Sequence, residues 1–312
     1  MTDQTTDPGE SQTTSEPPGP RYARYDCTDR ADRSAVDEAA AAARRALDAG
    51  ECIVLPTDTV YGIGADAYNA DAVQRLLDAK GRGREKPPPV LISDAHFVKA
   101  LAADVPDEAM SLVKALWPGA LTIICKANDR LRMDLGETNG TVGLRVPDHP
   151  LTRELLRQTG PLAVSSANKT GRAAASTCDS AIEQLDDSVA VYLDGGELTG
   201  TEGKPSTIVD FTIKDTGQIL RSGAISLETL QEYLPDVEDL ATEAEAAEET
   251  PNYTTAELRA RHTLQPPLET PAEPTAPAAE TPAAPAAPAM PQVAEPLPQS
   301  QPTPVRTEGT NG

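Results

Sequence analysis

The chain has 312 residues, with 49 acidic and 27 basic side chains and a formal net charge of −22. No apolar run approaches the roughly 18 residues of a membrane-spanning helix, and the first residues lack the pattern of a secretory signal. The four cysteines are far apart and there are only three histidines, so the composition argues against a metal centre or a disulfide framework and favours a reducing cytoplasm.

The two ends of the chain differ from its middle. Residues 1–20 carry four acids and no base, and residues 236–312 carry 13 acids, three bases and 13 prolines between Pro266 and Pro304. Such segments bury too little apolar surface to offset their chain entropy, so we expect both to be disordered. Residues 21–235, with 32 acids and 24 bases, predict a single folded domain.

Helix and strand patterns alternate along residues 21–235. Helices are predicted over residues 34–48, 70–80, 107–116, 151–158, 177–185 and 227–234. Short strands are predicted over residues 52–55, 90–92, 121–125, 142–146, 162–164, 189–193, 208–210 and 218–221. Because the two kinds of element do not alternate strictly, the pattern predicts an α/β fold with an open mixed sheet flanked by helices.

Polar turns follow two of the predicted strands. Residues 56–64 (PTDTVYGIG) come after the strand 52–55, and residues 165–171 (SSANKTG) after the strand 162–164. Hydroxyls and backbone N–H groups at the carboxyl end of a strand line the crevice in which α/β proteins bind ligands. No histidine or aspartate stands at motif spacing from the serines, which makes a nucleophilic serine doubtful. A purely structural turn is the alternative for each segment.

Cations stand out in this acidic chain. Lys80, Arg82, Arg84 and Lys86 fall within seven positions, in a loop that could hold a polyphosphate or simply be solvated. Arg145 lies in an apolar strand, where an unpaired guanidinium is costly. It therefore needs either an internal carboxylate or an anionic ligand. The spacing is not that of a P-loop.

The cations and hydroxyls together form one pattern. The five candidates for anion binding are Lys80, Arg82, Lys86, Arg145 and Arg221. They accompany many hydroxyl side chains and no histidine base. This set predicts that anionic ligands are anchored and that transfer proceeds by positioning rather than by covalent catalysis.

Seven motifs occur in the order found in one known family. They are residues 56–62 (PTDTVYG), Lys80-x-Arg82 with Lys86-Pro87, and residues 118–122 (PGALT), 141–147 (TVGLRVP), 166–168 (SAN), 206–210 (STIVD) and 220–223 (LRSG). Over residues 34–234 the chain resembles the YrdC-type L-threonylcarbamoyladenylate synthases, in a single-domain form. The resemblance implies a twisted open sheet with a concave basic cleft.

The same resemblance implies an activity. Members of the family are nucleotidyltransferases that form threonylcarbamoyl-AMP and pyrophosphate from L-threonine, bicarbonate and ATP. Mg²⁺ is expected with the ATP, and no permanently bound cofactor or protein metal site is expected. The product supports threonylcarbamoyladenosine modification of tRNA at position 37. Downstream threonylcarbamoyl-transfer proteins are therefore implied as partners, with tRNA met only indirectly and no membrane.

Residue roles carry over by position in the motifs. The resemblance implies catalytic roles for Lys80 and Arg82, and threonine contacts for Thr59, Arg145, Ser166 and Ser206. It implies ATP contacts for Arg82, Lys86, Thr141, Asn168, Ser176 and Arg221. Tyr61 and Leu91 are expected to shape the pocket. Gly83 stands where many members have proline, and no second folded domain is predicted after residue 235.

An RNA-binding module that uses the same basic cleft is the alternative function. The net charge of −8 over residues 21–235 counts against a sequence-blind grip on nucleic acid. One Trp, seven Tyr and two Phe in the whole chain leave few rings for base stacking. A related carbamoyl-transferring domain of hydrogenase-maturation proteins is disfavoured because this chain lacks zinc-finger cysteines.

Overall fold

The computed structural model describes residues 21–241. The expected disorder of residues 1–20 and of residues 242–312 lies outside the described residues. The helices within them are α1 (Arg33–Asp48), α2 (Ala70–Lys80), α3 (Val98–Leu101), α4 (Asp107–Leu116), α5 (Pro150–Thr159), α6 (Cys178–Leu185) and α7 (Leu227–Gln231). All six predicted helices are present, although the last is shorter than predicted. The unpredicted α3 is too short to show a helical period.

Twelve strands of the described region form one sheet. They are β1 (Ala23–Asp26), β2 (Ile53–Leu55), β3 (Gly62–Asp66), β4 (Val90–Leu91), β5 (Ala102–Ala103), β6 (Leu121–Ala127), β7 (Thr141–Arg145), β8 (Leu162–Ser166), β9 (Val191–Asp194), β10 (Thr207–Asp210), β11 (Gln218–Arg221) and β12 (Glu238–Asp239). Their order is β1-β9-β2-β3-β8-β4-β7-β6-β10-β11-β12, and β5 pairs with β6. Parallel and antiparallel pairs both occur, which confirms the predicted mixed open sheet.

One strand runs through a segment predicted to be a turn. Gly62–Asp66 forms β3, which is antiparallel to β2 on one side and to β8 on the other. Its glycines weaken the strand pattern in the sequence. They are needed because a Cβ atom on Gly62 would lie 2.6 Å from Cγ1 of Val164. The close backbone approach therefore serves the packing of β3 on β8 rather than a ligand.

The folded region also extends past residue 235. Strand β12 pairs in parallel with β11, and Val237, Leu240 and Ala241 are buried. Residues 236–241 therefore belong to the sheet and its core. The prediction that they are part of the acidic tail is wrong. Two acidic residues in a two-residue strand hide the pattern, which only the pairing with β11 reveals.

The two faces of the sheet are covered unequally. On one face, α2, α3, α4, α6 and α7 contribute buried side chains to a core that spans the sheet from Val54 to Ile219. On the other face, α1 and α5 cover only the half that contains β2, β8 and β9. The second face continues from this covered half into an open half that no helix covers in the described region. Three cross-strand neighbours mark the transition on that face: Leu162, Leu91 and Arg145. No helix in the described residues is long and apolar enough to cross a membrane.

Candidate active site

A cleft of about 410 Å³ lies on the open half of the sheet. Its floor is made by alternate residues of β6, β7, β10 and β11, namely Thr122, Ile124, Thr141, Gly143, Ile208 and Leu220. Residues 85–89, which include Lys86, and residues 137–139 form walls. Arg82, Arg221 and Ala241 also line the cavity. The cleft thus combines an aliphatic floor with hydroxyls and cations.

Two of the predicted arginines, Arg82 and Arg221, line this cleft, and Arg145 lies on the same face of the sheet as the cleft residues Thr141 and Gly143. Desolvation of the guanidinium, followed by the positive charges of Arg145 and Arg82, lowers the pKa of Arg221 to about 10. Burial also lowers the pKa of Arg82, whose Nη1 donates to Ser165 Oγ at 3.0 Å and whose buried Nε lacks a partner. Three cations, Arg82, Lys86 and Arg221, therefore line the cleft together with two carboxylates, Glu85 and Glu137.

Arg145 is held by an internal carboxylate. Its Nη2 donates to Asp58 Oδ1 at 2.6 Å, its Nη1 to Thr59 Oγ1 at 3.1 Å and its Nε to the Gly119 carbonyl at 3.0 Å. These bonds use three of the five N–H donors of the guanidinium. The side chain is 7% exposed. Of the two alternatives left by the sequence, the carboxylate is therefore present, and two N–H donors remain for a ligand.

Ser206 and Arg221 form one unit. Arg221 donates through Nε and Nη2 to the Ser206 carbonyl at 3.0 and 2.7 Å, and through Nη2 to Ser206 Oγ at 3.0 Å. The Ser206 hydroxyl in turn lies 2.8 Å from Thr122 Oγ1. A residue expected to contact threonine and one expected to contact ATP are therefore adjacent across β10 and β11. The paired hydroxyls of Ser206 and Thr122 therefore help to hold the Arg221 side chain in place.

Lys80, Ser166 and Asn168 form a second unit. Lys80 Nζ donates to the carbonyl of Ser166, to the Asn168 carbonyl at 2.7 Å and to Asn168 Oδ1 at 3.3 Å. Burial, and then the charges of Arg82 and Lys169, lowers the pKa of Lys80 to about 7. Lys80 is only 3% exposed. Its ammonium is thus committed to the segment after β8, while Gly81, with a φ of 61°, ends α2 and turns the chain toward Arg82.

The remaining predicted residues divide between the cleft and the core. Thr141 lines the cleft and its hydroxyl donates to the Thr138 carbonyl at 2.8 Å. Ser176 is half-buried, and its carbonyl accepts from Leu198 N at 2.9 Å. Tyr61 is fully buried, with its hydroxyl 2.6 Å from the Gly196 carbonyl, and Leu91 packs in the covered half of the sheet. Neither of these two lines the cleft.

Sequence reasoning assigned no role to two residues of the site. Asp58 holds Arg145, and Thr122 holds Ser206. Both lie inside motifs that the resemblance used, at residues 56–62 and 118–122. Their partners are 87 and 84 residues away. Periodicity alone cannot connect positions so far apart in the chain.

A protein-bound metal does not fit the residues present. Within residues 21–241, no three His, Cys, Asp or Glu side chains lie close enough together to hold an ion. The cysteines in this region are buried thiols, and burial raises the pKa of Cys27 to about 11.

Comparison with known proteins gives a consistent family. The Sua5/YciO/YrdC family model, described as "Telomere recombination", matches residues 45–223. A putative threonylcarbamoyl-AMP synthase of Mycobacterium tuberculosis is 47% identical over 210 residues, which cover 67% of this chain and 94% of that protein. The threonylcarbamoyl-AMP synthase of Bacillus subtilis is 38% identical over 198 residues, covering 62% of this chain and 56% of that protein.

Solved structures agree with the sequence matches. Sua5 of Pyrococcus abyssi in complex with L-threonine superposes with a TM-score of 0.63 at 29% identity, covering 70% of this chain and 62% of that one. The present chain thus spans less than two thirds of that protein's length. YciO of Escherichia coli superposes with a TM-score of 0.56 at 25% identity, covering 62% of this chain and 93% of that one. The chain belongs to the Sua5/YciO/YrdC family.

Proposed function

We propose that this chain is a threonylcarbamoyl-AMP synthase. It forms threonylcarbamoyl-AMP and pyrophosphate from L-threonine, bicarbonate and ATP, and supplies the modification of tRNA at position 37 through downstream transfer proteins. The observation that carries the proposal is that Arg82 and Arg221 line one cleft on the open face of the sheet while Arg145 lies on the same face, each of them bonded to a hydroxyl side chain. Two relatives that are matched over 94% of their own length support it, one named threonylcarbamoyl-AMP synthase and the other named putative threonylcarbamoyl-AMP synthase.

Threonine is proposed to bind where Arg145 meets the segment after β2. The two free N–H donors of Arg145 suit a carboxylate, which prefers paired guanidinium hydrogen bonds. Asp58 fixes the plane of the guanidinium and so orients those donors. Thr59 supplies a hydroxyl bonded to the group, Ser206 is proposed to supply another from its position beside Arg221, and Ser166 lies on the adjacent strand pair. The amino group of threonine is then left free to react.

ATP is proposed to occupy the cleft itself. Arg82, Lys86 and Arg221 provide charge-assisted donors for the phosphates, and Thr141 adds a hydroxyl. The half-buried side chains of Ile124, Ile208 and Leu220 offer an apolar surface that the nucleoside can cover. Asn168 is held by Lys80 and contributes through the shape of its segment. The cleft volume of about 410 Å³ lies within the range of small-ligand sites.

The reaction then needs positioning and charge stabilisation. The amine of threonine adds to bicarbonate with loss of water and gives a carbamate. A carbamate oxygen attacks the α-phosphorus of ATP, the bond to the β-phosphate oxygen breaks, and pyrophosphate leaves. Negative charge grows on the phosphate oxygens, where Arg82 and Arg221 stabilise it. Lys80 is a positioning residue in this scheme, because its donors hold Ser166 and Asn168.

The decisive experiment measures pyrophosphate release by the purified chain. Release should require ATP, L-threonine and bicarbonate together, and the product should be threonylcarbamoyl-AMP by mass spectrometry. Arg221→Ala should raise the KM for ATP by about 10- to 100-fold, from loss of charge-assisted hydrogen bonds. Arg44→Ala, on the exposed surface of α1, is the matched control and should leave it unchanged. Salt-sensitive RNA retention without threonine-dependent release would instead support the RNA-binding alternative.

A further inference from the structure

A second cavity lies on the outside of the covered half of the sheet. It is a groove of about 510 Å³ between α1 and α5 and the loop before α1. Its apolar floor consists of residues that also pack on the sheet, including Val36 and Leu151. Within the described region it shares no lining residue with the cleft. The proposed reaction makes no use of it.

The groove is basic although the chain is strongly acidic. Four arginines line it against two carboxylates, a local net charge of +2 in a chain of −22: Arg30, Arg33, Arg153 and Arg157 against Asp37 and Glu154. Arg157 pairs with Glu154 at 2.7 Å. Hydrogen bonds from Gln158 and Arg157, and then the charges of Arg157 and Arg33, lower the pKa of Glu154. Arg33 on α1 therefore faces α5 across the groove.

Two polar atoms at the start of α5 are buried and lack a partner. They are Nε of Arg153 and Nδ1 of His149. Arg153 reaches a carboxylate only through Nη2, at 3.4 Å from Asp148 Oδ1, while the Asp148 N–H is engaged with Asp58. A buried guanidinium N–H without an acceptor is costly. The Nε–H donor of Arg153 is therefore left without an acceptor among the described residues, while the role of His149 Nδ1 depends on the tautomer of its neutral ring.

The surroundings of these atoms strengthen the positive field. Burial, followed by the charge of Arg30, lowers the pKa of His149 to about 4, so Arg30 lies close to the start of α5. His149 occupies the N-cap position of this ten-residue helix without a side-chain cap bond. The helix N-terminus adds partial positive charge at the same place. Arg30, Arg153 and the end of α5 thus act on one small volume.

The chemistry of the lining selects a class of ligand. Arginines on opposite walls can grip an anion that carries two charged groups, and guanidinium forks match phosphate oxygens. The volume exceeds the needs of a single phosphate. A long polyanion such as RNA is disfavoured, because it would extend past the four arginines onto the surface of a chain whose net charge is −22. We propose that the α1–α5 groove is a second anion site, which binds a small polyphosphate such as pyrophosphate or the phosphate chain of a nucleotide.

Calorimetric titration of the full chain with inorganic pyrophosphate tests the proposal. Wild-type protein should bind at two sites. Arg30→Ala/Arg33→Ala should weaken the groove site at least about tenfold and keep the cleft site. Arg82→Ala/Arg221→Ala should do the reverse. The control Arg44→Ala/Arg45→Ala removes the same charge from the exposed surface of α1 outside the groove, and should retain both sites.

Three results would overturn the proposal. They are a single site that disappears in Arg82→Ala/Arg221→Ala, an isotherm that Arg30→Ala/Arg33→Ala leaves unchanged, and an equal loss in the Arg44→Ala/Arg45→Ala control. Retention of an RNA oligonucleotide that depends on Arg30 and Arg33, without pyrophosphate binding, would also overturn it in favour of RNA. Titration with ADP distinguishes a free polyphosphate from a nucleotide as the preferred ligand. Threonine-dependent pyrophosphate release by Arg30→Ala/Arg33→Ala should stay unchanged, so the two proposals fail separately.

Discussion

The two halves of one sheet face show how this fold makes a site. In the covered half, alternate residues such as Ile53, Leu162 and Val164 are apolar and pack beneath α1 and α5. In the open half, residues in equivalent positions include Thr122 and Arg145. The opposite face carries the larger apolar core across both halves.

That difference separates stability from function within one sheet. Strands of the open half are held by apolar contacts on a single face, so their other face is free to carry hydroxyls and guanidiniums. A charge such as Arg145 is tolerated there because Asp58 compensates it. The cleft is therefore a part of the sheet that two helices leave uncovered, and substitutions in the two halves should have different consequences.

The largest expected effect comes from the covered half. Leu156→Ala removes a side chain buried in the core beneath α5 and should lower the free energy of unfolding by about 2–5 kcal/mol. Denaturant titration measures it. Leu220→Ala, the same change on the half-buried floor of the cleft, is the matched control and should cost clearly less stability. Equal losses for the two variants would contradict the comparison.

Arg145→Ala probes the boundary between the halves. It should raise the KM for threonine by roughly 30- to 1000-fold, about 2–4 kcal/mol, because the carboxylate loses its charged partner. Steady-state kinetics at saturating ATP measures it. The variant also leaves Asp58 unpaired, so Arg145→Ala/Asp58→Asn serves as a control for misfolding and should show the same threonine defect with better stability. An unchanged KM for threonine would contradict the proposed contact between Arg145 and the threonine carboxylate.

A pH effect is expected from Lys80. Its pKa of about 7 in the folded protein lies below the value near 10.4 of an unfolded chain. Between about pH 6.5 and 7.5 the unfolded state therefore holds more protons at Lys80, and this group should make the free energy of unfolding rise with pH, by at most ~1.4 kcal/mol per unit. Lys80→Met should remove this slope, whereas Lys114→Met, at an exposed lysine of α4, should keep it.

Denaturant titrations at several pH values measure that slope. The window ends below the pH at which thiols of the unfolded chain ionise, near 8.5. In the folded chain, burial raises the pKa of Cys52 and Cys178 to about 12. An identical slope in Lys80→Met and in the wild type would mean that the three carbonyl oxygens around Nζ keep the ammonium protonated.

The smallest expected effect is at Tyr61. Its hydroxyl donates to the Gly196 carbonyl at 2.6 Å and accepts from Gly195 N at 3.0 Å, and neither Tyr61 nor these glycines line the cleft. Tyr61→Phe should lower the free energy of unfolding by about 1 kcal/mol and leave the KM for threonine within about twofold. Thermal and denaturant unfolding, together with kinetics, check both parts. A large change in the KM for threonine would indicate that Tyr61 helps to shape the substrate pocket.

Local patterns predicted the helices better than the strands. The helix α2 occupies the predicted residues 70–80, because its apolar spacing, its Asn69 cap and Gly81 are all local signals. Strand β3 was missed because two glycines hide its pattern, and β12 because it has only two acidic residues. Both exist through pairing with strands that are distant in the sequence, to which a local pattern is blind.

The candidate site divides in the same way. Motif order identified Arg82, Arg145, Ser206 and Arg221, and these residues do lie around one cleft or tie its members together. Motif order also suggests that Tyr61 and Leu91 shape the pocket; both are buried and absent from the lining of the cleft, and their role stays a prediction. Direct contact of Thr59, Ser166, Asn168 and Ser176 with substrates stays a prediction.

By itself, the sequence determined the kind of fold, the family and most of the side chains that carry charge, because periodicity and motif residues are local properties. Only the tertiary structure decided that Asp58 neutralises Arg145 and that Lys80 faces carbonyl oxygens. It also decided that α1 and α5 cover half of one face and leave the other half open. Each of these depends on which distant segments meet, and contact between distant segments is set by the packing of the whole sheet.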